Sequence, residues 1–410
     1  MRPAASRLSA QRPLGARLAR SSAQACWDAR HALQLARRGE RSGGRQLIDH
    51  LRQEFQGREF AELSIRLSLA EGILSLPAVA GAVAPWAARD RFTRAWALGR
   101  HHADTGLAAL AGAWSAHGLL AAGHWKPFAE AVVTGLRSAR SADHEALARW
   151  ALSLGNACLL ADDPQRAQTW YEWARRQACA DQDGAALADT LCDLAWHQTQ
   201  RLQLRQAAQQ EGESPAADPR CIERAQRSLQ TARAYVLLRS TESVSARYFN
   251  LICAQAIICK LQRRWGDELS CWDQALVAHR AWSAQSPAGA QHLPEEQGAA
   301  QVVAVQQWCA RLAHSPCDAD LRHPPSLETL ESWGDAAAAV ERLKLWDSVW
   351  RAITRLPAAR QRRLGAGYYS VVVERRHQAQ ALWLEQQREL RACLQGDDLA
   401  PHVWTSRYEP

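Results

Sequence analysis

The feature that most constrains this chain is a triplet, Ala167, Tyr171 and Ala174, whose members stand four and three residues apart. At that spacing a helix places all three on one face. Small, large, small is a packing pattern: the alanines let a neighbouring helix approach closely and the ring fills the space beside them. The stretch around the triplet, Ala148 to Asp181, reads as two helices and a turn. Trp150, Leu154, Cys158 and Leu159 gather into an apolar stripe on the first helix, and Gly155 offers a second close approach. Ala161-Asp162-Asp163-Pro164 breaks the pattern. A residue before proline is pushed out of the helical region, so Asp163 is placed to cap the second helix and Pro164 to open it.

The spacing recurs. Ala225, Leu229 and Ala232 repeat it, as do Glu268, Trp272 and Ala275, where a long residue spoils the first small position. Phe128, Val132 and Gly135 form a fainter copy. The last members of the four triplets are separated by 39, 58 and 43 residues. An ordinary helical bundle packed through alanines would also show such triplets, so a stack of hairpins and a bundle both remain open from spacing alone.

Leu154-Gly155, Ala167, Tyr171 and Ala174 sit at the intervals of the tetratricopeptide repeat, and the stretch resembles that family, whose period is about 34 residues. Three positions depart: Ala151 stands where the family has Trp (Trp150 is one residue early), Cys158 replaces a Tyr, and Cys179 replaces the closing Pro. With irregular gaps, the resemblance is to a degenerate, loop-interrupted array over residues 109 to 284. It implies an all-α fold, a right-handed superhelical solenoid of antiparallel helix hairpins. In that family the first helix of each hairpin lines a concave, peptide-binding surface. Carried over by position, this implies Arg149 and Asn156 as peptide-binding residues, with Asp193, His197, Asn250 and Lys260 following by phase. Some members hold a partner's terminal carboxylate with a Lys and an Asn. Asn156 follows Gly155 as it does there, but Leu152 stands where the Lys would be, which puts recognition of an acidic tail in doubt.

The resemblance thus implies a non-catalytic scaffold that binds a protein or peptide partner. Its rival is a regulatory or sensory helical-repeat module of a bacterial signalling system, acting with an output domain in trans.

Charge argues against a phosphate-binding stripe. The net charge of +8 resides in residues 1 to 45, where ten Arg face only Asp28 and Glu40, and the remainder holds 40 basic and 40 acidic groups. With 47 Arg and 3 Lys, one Met and much alanine, the composition looks like codon bias, so arginine richness says little about nucleic acid. Nucleic-acid binding is expected, if anywhere, through the basic arm. That arm has no acid before Asp28 and is interrupted by Pro3, Pro13 and Gly15, which suits a disordered segment, a targeting segment or an upstream start miscall.

The expected organisation is a disordered arm over 1–45, a helical repeat array over 46–284, a linker, helix and loop over 285–325, and a helical cap over 326–410. Gly72 to Ala88 is uncharged, but Pro77 and Pro85 and its Ala–Gly composition leave it short of a membrane span. The acidic, proline-containing stretch Glu211 to Pro219 reads as a loop. Eleven cysteines, none in a CxxC pair and with no secretory signal, suggest reduced core thiols and a cytoplasmic address.

No nucleotide loop, HExxH or GxSxG pattern is present, so no catalytic residue and no cofactor is expected. His314, Cys317, Asp320 and His323, at intervals of three, are plausible zinc ligand types on a proline-rich loop, though the spacing fits no known zinc pattern. His101-His102-Ala103-Asp104 could pair a base with a carboxylate, but Asp there also suits a helix cap. The arginine pairs at 175–176, 263–264, 362–363 and 375–376 read mostly as solvated faces. Of the 18 Trp, Trp272, Trp346 and Trp350 fall on apolar stripes and read as core.

Overall fold

The structure, a computed structural model, describes residues 22–38, 41–56, 60–75, 86–208, 218–239, 246–283, 294–314, 321, 323–328, 330–331 and 339–408. Among the described residues every regular element is helical, so the protein is all-α. The helices are α1 (Ser22–Arg38), α2 (Arg41–Glu54), α3 (Ala61–Leu74), α4 (Trp86–His101), α5 (Thr105–Ala121), α6 (Trp125–Ser138), α7 (His144–Leu160) and α8 (Pro164–Ala180). They continue with α9 (Gly184–Ala208), α10 (Pro219–Arg239), α11 (Ala246–Leu261), α12 (Trp265–Ser283) and α13 (Pro294–His314). The C-terminal part holds α14 (Ala339–Thr354), the short α15 (Ala358–Gln361), α16 (Ala366–Leu394) and α17 (Pro401–Tyr408).

Two layers organise the first thirteen helices. The odd-numbered helices from α1 to α11 pack one on the next, and each even-numbered helix from α2 to α12 packs against the odd helices before and after it. The small–large–small triplets all lie on the even layer. Ala167, Tyr171 and Ala174 are buried on α8, Ala225, Leu229 and Ala232 on α10, and Glu268, Trp272 and Ala275 on α12. Phe128 and Val132 are buried on α6, where a Cβ on Gly135 would come within 2.2 Å of the Trp150 ring. Two related triplets precede them: Ala88, Phe92 and Ala95 on α4, and Gly44, Ile48 and Leu51 on α2, which closes on a large residue; all are buried. The middle members are therefore 44, 40, 39, 58 and 43 residues apart, and the longest interval contains residues 209–217, outside the described residues.

One turn is used repeatedly. Ala103 (φ 55°), Gly123 (74°), Asp162 (64°), Gln182 (53°) and Arg263 (59°) each adopt the left-handed conformation between consecutive helices. In each case the next residue's N–H reaches back to a carbonyl five residues earlier, as in Asp163 to Cys158 (2.8 Å) and Arg264 to Cys259 (2.8 Å). This satisfies carbonyls that the ending helix leaves free. Four of the five are not glycine, so each costs about 1 kcal/mol that a glycine would avoid. Asp163 caps α8 by accepting from the Arg166 N–H at 3.1 Å, with Pro164 in the first turn. Asp104 caps α5 in the same way through the Leu107 N–H at 3.0 Å. Asp104 therefore acts as a helix cap, and His101 and His102 are exposed.

Trp150, Trp170 and Trp173 are completely enclosed between α7, α8 and their neighbours. At about 25 cal/mol per Å², a ring system that hides roughly 200 Å² contributes on the order of 5 kcal/mol before its ordering cost. Trp272, Trp346 and Trp350 are likewise buried.

Three expectations need correction. The basic arm does not run to residue 45: from Ser22 the chain is helical, and Ala25, Ala29 and Ala32 of α1 are fully buried in a cluster with Leu63 and Leu67 of α3. Residues 1–21 lie outside the described residues. The C-terminal helices do more than cover the last hairpin. α14 packs on α13 and also on α9, and α16 runs back against α14, α9, α7 and α6. It does so because the ends of α7 and α9 present unused carbonyls: Gln387 and Arg391 donate to Leu160 and Ala161 of α7, and Arg376 and Gln380 to Ala207 and Ala208 of α9. Arg376 is thus no solvated face. It is 1 % exposed and paired with Asp347 at 3.0 Å.

A 3-10 turn at Arg362–Leu364 and Gly365 at φ 86° separate α15 from α16. Within Gly72–Ala88, residues 76–85 are outside the described residues, and among those described no helix is long and apolar enough to cross a membrane. Residues 211–217 of the acidic loop are also outside them.

Candidate functional site

The odd layer bears a polar row that the even layer lacks. Along α7, Arg149, Ser153 and Asn156 follow at four and three residues, and along α9 Asp189, Asp193, His197 and Gln200 do the same. The adjacent helices add Trp114 and His117 from α5 and Arg247 from α11. Since α5, α7, α9 and α11 pack side by side, these residues meet across helices.

Asp189 lies at the centre. Arg149 Nη2 is 2.5 Å from its Oδ2, Arg247 Nε donates to its Oδ1 at 2.9 Å, and the Arg149 guanidinium lies 3.9 Å from the centre of the Trp114 ring. Arg37, from the last turn of α1, pairs with Glu145 (2.7 Å) and Asp183 (2.5 Å), and its carbonyl accepts from Arg247 at 2.7 Å. The end of α1 therefore closes over the starts of α7, α9 and α11. Burial alone would raise the Asp189 carboxyl, but Arg247, Arg149 and Arg37 overcome it and hold the group down to about 2.

One turn further along, Asn156 donates to Asp193 at 2.9 Å and accepts the Tyr171 hydroxyl hydrogen bond. Here burial wins, and the Asp193 carboxyl is pushed up to about 6 despite the Asn156 hydrogen bond. His117 and His197 are both pushed down to about 3, first by burial and then by Arg149 for the one and by His117 and Lys344 for the other. Both imidazoles are neutral at physiological pH and able to donate and accept.

At the far end α14 meets this row. Lys344 pairs with Glu341 (2.6 Å) and lies 5.0 Å from the centre of the Trp196 ring, and Glu341 accepts from Gln200 at 3.2 Å. Lys260 donates to Ser348 (2.9 Å) and Gln306 (3.5 Å).

Of the residues implied by sequence, the structure joins Arg149, Asn156, Asp193 and His197 into this one row. Lys260 is buried in the separate contact of α11 with α13 and α14, and Asn250 is half-buried on α11. Sequence reading missed Trp114, His117, Asp189, Arg247 and Arg37. Asp189 precedes Asp193 by four residues, so the same phase reaches it; Arg37 gives no local signal at all.

Several buried polar atoms on this row have no hydrogen-bond partner among the described residues: His197 Nδ1, Gln200 Oε1, Gln203 Oε1 and the indole N–H groups of Trp114 and Trp196. Indoles in the apolar core, such as those of Trp150 and Trp170, share that state. Each such atom costs roughly 1–3 kcal/mol unless water or another molecule meets it. His117, Asp193 and His197 are half-buried.

The zinc-type loop does not assemble in what is described. His314 and His323 are exposed, Cys317 and Asp320 lie outside the described residues, and among those described no three His, Cys, Asp or Glu side chains converge.

The class of protein is an all-helical one with a layered helix array and a polar row along its odd-numbered helices. No protein-family model matches the chain, and no curated protein matches it in sequence.

Proposed function

We propose that the chain is a non-catalytic binding protein, a right-handed superhelical solenoid of tetratricopeptide-like hairpins whose inner face holds a segment of a protein or peptide partner. The observation that supports this most is the set of unpartnered acceptors on α9, beside two neutral histidines and an indole N–H. An extended peptide offers N–H and C=O groups in alternation and meets such a mixed row better than an ion would. The ion pairs around Asp189 fix the row and neutralise it, so they position rather than attract. His197→Leu with Gln200→Leu removes two of the three acceptors and leaves Arg149, Asp189 and Arg247 untouched. Random short peptides selected on the full chain are expected to bind this variant about tenfold or more weakly, about 1.4 kcal/mol, at unchanged melting temperature. Equal affinity for both proteins removes the inner face from the binding site.

A second reading, a regulatory module that acts on an output domain in trans, is favoured by α14. Its Glu341 and Lys344 touch the same α9 turn that bears Gln200 and Trp196. A ligand at Gln200 would compete with Glu341, so occupancy and the position of α14 would be linked. Faster amide exchange in α14 on adding a selected peptide is expected on this reading, and unchanged exchange contradicts it.

A further inference from the structure

We propose that a cleft between α14 and α16 is a binding site for a free α-amino acid with an apolar side chain. The two helices pack on each other and leave a cleft of about 140 Å³. Its floor is apolar, made by Trp346 of α14 and by Ala379 and Leu382 of α16. Its rim is charged, with Arg342 from α14, Arg375 from α16 and Glu331 from the stretch before α14. Beside the cleft the helices are locked together. Arg376 pairs with Asp347 at 3.0 Å, and its guanidinium lies 4.0 Å from the centre of the Trp350 ring. A site fixed in this way is formed before its ligand arrives, which lowers the ordering cost of binding. Size limits what it can take. A cavity of roughly 150 Å³ holds a benzene-sized group, whereas drug-sized ligands occupy about 300 Å³ or more. The cleft is therefore too small for a nucleotide and suits one side chain of about leucine's size.

The hydrogen bonds at the rim narrow the class further. Arg375 is a strut: its Nε and Nη2 donate to Glu331 Oε1 at 3.0 and 2.7 Å, and its Nη1 donates to Gln378 Oε1 at 3.1 Å. Both bonds to Glu331 fall on the same oxygen. Among the described residues nothing donates to its Oε2, so that atom is held in place and can accept from a cation. Arg342, across the cleft on α14, carries five N–H donors, enough to serve a ligand carboxylate alongside a protein partner. An α-amino acid supplies the complement of all three features: an ammonium for Glu331, a carboxylate for Arg342 and an apolar side chain for the Trp346 floor. An acid without the ammonium leaves Glu331 unmatched, and an amine without the carboxylate leaves Arg342 unmatched. The cleft shares α14 with the polar row of α9, through Glu341 and Lys344, but shares no residue with it. It therefore stands whether or not that row binds a peptide.

The test is calorimetric titration of the full chain with L-leucine up to millimolar concentration. Isocaproate, which is leucine without its ammonium, and isoamylamine, which is leucine without its carboxylate, are titrated beside it. On the wild-type chain leucine is expected to bind, and each of its halves about tenfold or more weakly. Glu331→Gln should weaken leucine about tenfold and leave isocaproate unchanged, because only the ammonium meets Glu331. Arg342→Gln should weaken both leucine and isocaproate. An unchanged melting temperature checks that each variant is folded, and the comparison of leucine with its halves needs no variant. No binding of leucine, isocaproate binding as tightly as leucine, or leucine bound equally by the wild type and a folded Glu331→Gln overturns the assignment.

Discussion

The α7–α8 and α11–α12 hairpins, set 101 residues apart, make the same backbone and use it differently. Asp162 and Arg263 hold the same left-handed turn, the Cys158 and Cys259 carbonyls accept the same closing bond, and Ala174 and Ala275 are both fully buried. The side chains between these fixed points diverge. Ala167 becomes Glu268, which is 1 % exposed and accepts from the Trp272 indole at 3.2 Å. Trp170 becomes Cys271, Asn156 becomes Ile257 and Arg149 becomes Asn250. One hairpin is filled by rings and turns polar groups inward; the other turns an apolar face inward and places a carboxyl between its helices. The turn and the closing small residue define the unit, and the other positions are free to change its chemistry.

The largest expected effect is at the position where the two differ most in volume. Trp170→Ala should cost about 3–5 kcal/mol in urea unfolding, through loss of a fully enclosed ring. Cys271→Ala at the matching place should cost about 1 kcal/mol or less, since that side chain is only half-buried. Equal costs would mean that the two hairpins are not packed as described.

Next come Gly155 and its counterpart Ala256. A Cβ on Gly155 would lie 2.9 Å from the Tyr171 ring, so Gly155→Ala should destabilise by about 1–3 kcal/mol. The reverse change, Ala256→Gly, should cost about 1 kcal/mol through helix propensity alone. A stabilising Gly155→Ala would show that the ring does not rest on that glycine.

The polar row spans α7 and α9 and takes Arg247 from the second hairpin, and pH probes its two α9 carboxyls. Asp193 is raised in the folded protein, so its contribution is complete below its unfolded value near 3.8 and is lost as pH rises through about 6. Asp193→Asn should flatten that decline, a difference on the order of 1 kcal/mol after allowance for its open side. Asp189 is lowered, so its contribution is present above about 3.8 and is lost as pH falls towards 2. Acid titration of Asp193→Asn and Asp189→Asn, followed by urea unfolding, checks both signs.

The smallest effect is in the shared turn. Arg263→Gly should stabilise by about 0.5–1 kcal/mol, because glycine adopts the left-handed conformation without strain. Asp162→Gly should gain less, since it also removes the ion pair with Arg201 at 2.5 Å.

How much of this was legible in sequence differs by element. The α8, α10 and α12 triplets were readable because small residues at four and three stand out from their surroundings, and Asp163-Pro164 marked its own helix start. Gly44 was hidden because the arginines of residues 1–45 made that segment read as a tail, which cut it off from Ile48 and Leu51. Ala88, Phe92 and Ala95 were hidden beside the uncharged stretch before them. At the candidate site, the family resemblance led to Arg149 and Asn156, and phase led on to Asp193 and His197. It could not lead to Arg37 or Lys344, which reach the row from more than a hundred residues away in sequence and leave no local pattern. The return of α16 was equally unreadable, because what draws it in is a set of backbone carbonyls at the ends of α7 and α9, and carbonyls have no letter.

From α4 to α12 the even helices pack closely because the closing residue of each triplet is small, and α10 gives the sharpest place to measure it. Ala232 is fully buried and Ala234, two residues on, is exposed on the same helix. In paired urea unfolding, Ala232→Leu should lose about 1–3 kcal/mol while Ala234→Leu stays within about 0.5 kcal/mol of the wild type. Equal stability of the two variants would contradict the nesting of hairpins through these small residues.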